Sequence, residues 1–272
     1  MRSARQKRLG QYFLSDPEIA EKIVNALEIQ KGDIIIEVGP GEGFLTKELA
    51  KHPVKIIAAE KDEQLAEDLR EWAADEKIKN LEIVKGDILQ VLPGLTEKRE
   101  LKAGDYKIAG NIPYYITGKL LRTVGEMENK PRLTALTVQK EVAERICATP
   151  PKMNLLAAAV GFWATAKIIG YIPAKHFRPV PKVDSAVIAL TTRAKRLTKR
   201  EETKREEECY YKFIRAAFAQ PRKTLLNNLS AGLKMDKAAA AAILKTNGLS
   251  VAIRPQELST DDMQKLSRSV IK

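Results

Sequence analysis

Over the first two thirds of the chain, short apolar runs alternate with stretches whose apolar positions recur at helical spacing. The runs at 33–38, 54–59, 81–84, 105–109 and 133–138 are rich in Ile, Val, Leu and Ala and predict five strands. Asp16-Pro17 opens a helix to Leu27, with Asp16 as N-cap and Pro17 in the first helical position. Further helices are predicted from Gly43 to Ala50 and, highly charged, over 63–74. Strands alternating with helices predict an α/β domain with a mostly parallel sheet. A buried helix is expected over 153–164, then strands at 167–171 and 185–191 as an antiparallel pair at one sheet edge.

Beyond this the pattern changes. Arg193, Lys195, Arg196, Lys199 and Arg200 form a basic run, and no strand-like segment follows it. Helical spacing predicts helices over 203–219, 223–231, 237–246 and 255–270; the alanine run at 238–242 is itself a strong helix former. The expected organisation is an α/β domain over 1–194 and a small all-α domain over 195–272.

Composition narrows the partners. With 44% hydrophobic residues in 272, the chain can bury a core larger than one small domain needs. Lys and Arg number 47 against 35 Asp and Glu, a formal charge of +12, which favours a polyanion because each neutralised phosphate releases counterions. The first ten residues carry Arg2, Arg5, Lys7 and Arg8 and no acid, a basic arm without the apolar stretch of a secretion signal. Cys147 and Cys209 lie far apart, and neither they nor His52 and His176 have metal-ligand spacing. The most apolar stretch, 155–171, is broken by Lys167 and too short to span a bilayer. A cytoplasmic chain with free thiols, no metal and no membrane contact is expected.

Four motifs fall at the carboxyl ends of predicted strands. Glu37-Val38-Gly39-Pro40-Gly41-Glu42-Gly43 follows the first. Its glycines allow a tight turn and close approach to a ligand. The spacing is G-x-G-x-G, not the G-x-G-x-x-G that cradles a pyrophosphate, and Glu37 and Glu42 suit a ligand with a cationic end. A plain strand-to-helix turn would also use glycines here. Glu60 ends the second strand, where a carboxylate accepts hydrogen bonds from ribose hydroxyls. Gly86-Asp87-Ile88 ends the third; Asp87 can accept the amine of a cofactor adenine with Ile88 against its ring, although Gly-Asp turns are common. Asn111-Ile112-Pro113-Tyr114-Tyr115 ends the fourth. Pro113 restricts Ile112 and aims its carbonyl. That carbonyl and the Asn111 side-chain oxygen can accept the two hydrogens of an amine on a flat ring, and Tyr114 can stack on the ring.

In this order, with Gly-Gln-Tyr-Phe-Leu at 10–14, the motifs resemble the ribosomal RNA adenine N6-dimethyltransferases. The likeness continues through Val-Gln-Lys-Glu-Val-Ala-Glu-Arg at 138–145 and Phe-Arg-Pro-Val-Pro-Lys-Val-Asp-Ser at 177–185. It extends to Phe-Ala-Gln-Pro-Arg-Lys-Thr-Leu at 218–225 and Asn-Asn-Leu at 227–229. It covers nearly the whole chain, and the kasugamycin-resistance type of that family is the best match.

The resemblance implies a Rossmann-like class I methyltransferase fold with a small C-terminal all-α domain, and S-adenosylmethionine as cofactor. Gln11, Tyr12 and Leu14 would close over the cofactor; Gly39, Gly41, Glu60, Lys61, Asp87, Ile88 and Asn111 would line it. Asn111 and Tyr114 would hold the target adenine, with Phe177 on its other side. The implied reaction is dimethylation of N6 in two adjacent adenosines of the 3′-terminal hairpin of small-subunit rRNA. The implied partner is an assembling small subunit, met by a monomer. The basic arm, the 193–200 run and Arg222-Lys223 are the expected phosphate track. The chain departs from the family at Tyr12, where Asn or His is usual, and at 149–154, where a Gly-Ser-Lys-x-Tyr type loop is more common.

Three other readings compete. A large-subunit rRNA methyltransferase of the macrolide-resistance type shares the Asn-Ile-Pro-Tyr motif, but the 218–229 stretch favours the small-subunit type. A non-catalytic RNA-binding factor on the same fold would carry a broken glycine loop or Asn-x-Pro-Tyr, and both are intact. A nicotinamide oxidoreductase is disfavoured by the glycine spacing.

Overall fold

The computed structural model describes residues 12–14, 16–194 and 200–270, without the side chains of 200–203. Gln11, the basic arm and Lys195, Arg196 and Lys199 lie outside the described residues. The chain divides into two compact units, 1–143 with 166–192, and 144–165 with 193–272.

The first unit is built on a seven-stranded sheet. Its strands are β2 (Ile34–Val38), β3 (Lys55–Glu60), β4 (Leu81–Lys85), β5 (Tyr106–Asn111), β6 (Leu133–Gln139), β7 (Ala164–Ile172) and β9 (Ser185–Thr192). The order is β4-β3-β2-β5-β6-β9-β7. β2 to β6 pair in parallel, and β9 runs antiparallel to β6. The expected strands are all present, with β7 beside β9 at the sheet edge. β1 (Phe13–Leu14) and β8 (Phe177–Arg178) form a separate two-stranded pair. The central strands are apolar along their length because both faces are covered: Ile35 and Ile36 of β2 and Ile56 to Ala58 of β3 have no exposure.

Helix α1 (Pro17–Ala26) starts where Asp16 accepts a hydrogen bond from the Glu18 amide. It buries Ile19, Ala20, Ile23 and Val24 in a core shared with Leu14, Ile35, Ile56, Ala135 and Phe177. α2 (Phe44–Leu49) and α3 (Glu63–Asp75) follow β2 and β3. Three helices are not among those expected from the apolar pattern: α4 (Ile88–Lys98), α5 (Thr117–Glu126) and α6 (Lys140–Ile146). α4 carries Pro93 and Gly94 in its interior, which break the helical signal.

One strand contains a feature that its apolar pattern hides. Lys107 of β5 is 1% exposed, and its ammonium donates to Glu28 O at 2.8 Å and Asp33 Oδ2 at 2.6 Å. Burial alone would raise the Asp33 pKa; the Lys107 hydrogen bond, the Gln30 amide and the Lys107 and Arg132 charges together outweigh it and hold it below its usual value.

The second unit is helical: α7 (Leu155–Gly161), α8 (Arg200–Ala217), α9 (Leu225–Leu233), α10 (Lys237–Thr246) and α11 (Thr260–Val270). α6 (Lys140–Ile146) leads into it from β6. The segment 144–165 packs with these helices rather than with the sheet, which differs from a linear division at 194/195. The cause is a buried aromatic contact. Tyr210 donates to Ala158 O at 2.8 Å and stacks on Phe162 with centroids 4.5 Å apart. Gly161 lets α11 approach, since a Cβ there would lie 2.5 Å from Thr260 Oγ1. The 149–154 departure belongs to this unit, where Asn154 caps α7 through the Leu156 and Ala157 amides. Among the described residues, no helix is long and apolar enough to cross a membrane.

Candidate active site

Chain direction across the sheet reverses between β2 and β5: β3 and β4 lie to one side, β5 and β6 to the other. At such a switch point the loops leaving the carboxyl ends of the two central strands diverge and leave a crevice. A cavity of about 280 Å³ lies there. The β1 segment, the glycine loop, the ends of β3 and β4, and the 111–119 stretch line it. Of the expected cofactor residues, Tyr12, Leu14, Gly39, Gly41, Glu60, Lys61, Asp87, Ile88 and Asn111 all line this cavity.

The glycine loop turns through left-handed backbone at Gly39, Gly41 and Gly43, with φ of 61°, 58° and 77°. Gly41 is also needed for space: a Cβ there would lie 2.6 Å from Cε1 of Phe13, which folds over the loop. Phe13 was not anticipated, because nothing local marks an aromatic residue as a lid. Phe44, Leu89 and Lys119 are further lining residues that the motifs did not single out, and Pro113 and Tyr115 of the fourth motif line the cavity as well.

Glu60 is 3% exposed, and backbone amides hold it: Gly41 N donates to Oε2 at 3.0 Å, and Lys61 N and Asp62 N donate to Oε1 at 2.8 Å each. The remaining lone pair on Oε2 suits a ligand hydroxyl. Asp87 caps α4 through the Leu89 amide, and its Oδ2 accepts from Lys61 Nζ at 3.0 Å. Burial pushes its pKa up, but the Lys61 hydrogen bond, the Leu89 amide and the Lys61 and Lys119 charges together hold it below its usual value.

Glu37 corrects the electrostatic expectation. It is 1% exposed, and Thr46 donates to its Oε2 at 2.7 Å. Burial, reinforced by the Glu60 charge and only partly opposed by the Thr46 hydrogen bond, pushes its pKa to about 8. The carboxyl is therefore mostly neutral at pH 7. A cation brought beside it would favour its ionised form.

The Asn111 amide is oriented by a long-range contact. Its Nδ2 donates to Tyr12 O at 2.8 Å, a carbonyl that can only accept, while its Oδ1 has no partner among the described residues. The Tyr12 ring stacks on Tyr114, with centroids 5.4 Å apart and planes at 26°. Tyr12 thus acts through its carbonyl, as any residue at that position can, and adds a ring contact that Asn cannot make. Tyr114 shares a hydrogen bond of 2.6 Å with Ser185 Oγ, and burial raises its pKa. Phe177 is placed apart from the cavity. It is fully buried in the apolar core, paired with Leu14 across the β1–β8 ladder. In this structure it supports Leu14, and stacking on a base would require it to leave the core.

Of the expected phosphate track, Arg193 is engaged with Asp261 Oδ1 at 3.0 Å, and Arg222 and Lys223 are exposed. Both cysteines are free thiols, and burial pushes the Cys147 pKa to about 11.

The family model for ribosomal RNA adenine dimethylase matches residues 2–270. The chain is 36% identical over 264 residues to ribosomal RNA small subunit methyltransferase A of Dehalococcoides mccartyi, covering 96% of this chain and 87% of that one. It is also 36% identical over 266 residues to the protein of the same name from Clostridioides difficile, covering 97% and 90%. Two solved structures share the fold at 23% identity. The dimethyladenosine transferase of Plasmodium falciparum gives a TM-score of 0.76 over 93% of this chain and 95% of that one. The 23S rRNA methyltransferase ErmE gives 0.73 over 96% and 100%. With a matching family model over almost its whole length and relatives named as ribosomal RNA methyltransferases, the chain belongs to the ribosomal RNA adenine dimethylase family of methyltransferases.

Proposed function

We propose that this protein binds S-adenosylmethionine in the sheet-switch cavity and dimethylates N6 of two adjacent adenosines in the 3′-terminal hairpin of small-subunit rRNA. It acts as a cytoplasmic monomer on an assembling small subunit. The observation that carries the reading is the Asn111 side chain, whose NH2 group is tied to the Tyr12 carbonyl so that Oδ1 is left to accept.

The residues fit the cofactor. Glu60 keeps an acceptor site for a ribose hydroxyl, Asp87 and Ile88 offer a carboxylate and an apolar face to an adenine, and Gly41 leaves room for close approach. When bound, S-adenosylmethionine supplies an electrophilic methyl group on a cationic sulfonium. Glu37 can ionise in response to that charge. A cofactor amine at Asp87 would compete with Lys61, which now holds Asp87 Oδ2.

The adenine amine is a poor nucleophile because its lone pair is delocalised into the ring. Asn111 Oδ1 and the Ile112 carbonyl draw its hydrogens out of the ring plane and restore a directed lone pair. Transfer is then favoured by orientation and fixed dipoles. The amine acidifies as it is alkylated and loses its proton to water, so no strong base is needed. The target must leave its stack to reach the cavity. Tyr114 offers it a ring once Tyr12 withdraws.

The test is incubation of labelled S-adenosylmethionine with small subunits lacking the modification, with large subunits, and with protein-free rRNA, followed by nucleoside analysis. N6,N6-dimethyladenosine in small-subunit rRNA is expected. Label confined to large-subunit rRNA, or none in either, overturns the reading.

A further inference from the structure

β7 is the last strand of the sheet, and its exposed side carries a row that the methyl-transfer chemistry does not use. Residues two apart on a strand point to the same face. Lys167, Ile169 and Tyr171 are such a set and are all exposed, Ile169 by 39% and Tyr171 by 50%. A large aromatic and a β-branched side chain on an edge strand, next to a lysine, are not there for the core.

Tyr171 is not an isolated surface ring. The Lys140 ammonium lies 5.3 Å from its centroid. Lys140 is in turn fixed to the sheet edge that holds the active site. It directly follows β6, and its backbone amide donates to Asp184 O at 3.0 Å. The next residue, Ser185, pairs with Gln139 across the β6–β9 ladder and shares its hydroxyl hydrogen bond with Tyr114. Tyr114 and Tyr171 are therefore joined through Ser185, Asp184 and Lys140 along one edge. β7 lies three strands from β5, which at about 4.8 Å per strand puts Tyr171 roughly 14 Å from the Asn111 strand. That is a reach of a few nucleotides.

The strand and the loop after it are mainly basic. Between Ala166 and Ser185 the chain carries four cations, Lys167, Lys175, Arg178 and Lys182, and one carboxylate, Asp184, whose Oδ1 accepts from the Ala174 amide. An aromatic face flanked by ammonium groups is the arrangement that holds single-stranded nucleic acid, with the base on the ring and the phosphates on the cations.

We infer that Tyr171, with Lys140 at its ring and Lys167 further along the same exposed row, is a stacking platform for a nucleobase near the methylated adenosines, and so a positioning residue for the RNA. This rests on the proposed rRNA substrate. The base is held by its π-face, so the site selects an unpaired neighbour rather than a particular sequence. Its effect falls on the productive docking of the RNA and not on the cofactor.

The experiment uses the full chain and small subunits lacking the modification. Tyr171→Ala is expected to raise KM for subunits by about 5-fold to 150-fold, the range corresponding to about 1–3 kcal/mol per stacked base. Affinity for S-adenosylmethionine should stay at the wild-type value. Tyr171→Phe, which keeps the ring, is expected to retain wild-type KM and guards against a folding artefact. Ultraviolet crosslinking of the wild-type complex should attach a nucleotide to the peptide containing Tyr171. A wild-type KM for Tyr171→Ala, with wild-type enzyme active, overturns the platform and leaves the proposed function standing. So does an unchanged KM accompanied by an altered oligomeric state on gel filtration, which would make the row a protein interface. Wild-type enzyme inactive on both subunits removes the proposed function and this inference with it.

Discussion

Glu37→Gln isolates the cost of burying an acid at the base of the cofactor cavity. Glutamine keeps the acceptor for Thr46 Oγ1 and resembles the neutral acid in shape, but it cannot ionise. The rise of the Glu37 pKa from 4.5 to about 8 corresponds to about 5 kcal/mol of discrimination against the carboxylate in the folded chain, at about 1.36 kcal/mol per decade. The direction follows from proton linkage. Between these two values the folded state holds a proton that the unfolded state has released, so stability falls as pH rises. The contribution is complete below pH 4.5 and is lost progressively through pH 8. The wild-type stability minus that of Glu37→Gln should therefore fall by about 1.4 kcal/mol per pH unit from pH 5 to 8 and then level off. Urea unfolding of both proteins without cofactor at pH 5, 6.5, 8 and 9 measures this difference and cancels every other titrating group. Adding S-adenosylmethionine at pH 7 should release close to one proton from wild type and none from the variant, read by calorimetry in two buffers of different ionisation enthalpy. Parallel stability curves for the two proteins would refute the assignment of a neutral buried acid.

Asn111→Ala should lower the rate of methyl transfer by about 100-fold or more while cofactor affinity stays within a few-fold, measured by single-turnover kinetics and equilibrium binding. Wild-type turnover would remove Asn111 from the mechanism. Gly41→Ala places a Cβ against Phe13 in left-handed backbone, with a strain of about 1–2 kcal/mol and weaker cofactor binding; an unchanged melting temperature and affinity would count against the close packing. Lys107→Ala removes the buried ammonium and its bonds to Glu28 O and the part-exposed Asp33, and should destabilise the first unit by about 1–3 kcal/mol in denaturant titration, with a loss under about 0.5 kcal/mol contradicting it. Tyr12→Asn uncovers a face of Tyr114. It should lower KM for subunits by about 2-fold to 10-fold, the equivalent of an aromatic pair of about 0.5–1.5 kcal/mol, and a raised KM would show that Tyr12 assists the substrate.

Much of this protein is legible in its order of residues because the relevant signals are local. The apolar runs of β2 to β6 mark strands buried on both faces, and each chemical motif directly follows one of them. Since parallel strands bring their carboxyl ends to one edge, the glycine loop, Glu60, Asp87 and Asn111 had to converge. The spacing of Gly39, Gly41 and Gly43 likewise states a backbone requirement, which the positive φ angles at all three meet.

What sequence alone could not decide depends on groups distant along the chain. Glu37 looks like an acid in a loop that welcomes cations; only complete burial beside Glu60 makes it a neutral acid at pH 7. Phe177 belongs to a family motif, but its pairing with Leu14 places it in the core. The Asn111 amide takes its orientation from a carbonyl 99 residues away. The segment 144–165 reads as part of the sheet domain until Phe162 meets Tyr210. Spacing determines which chemical groups reach one edge of the sheet. Burial and long-range hydrogen bonds determine their charge, their orientation and which of them face the cavity, because desolvation and packing arise only when distant segments meet.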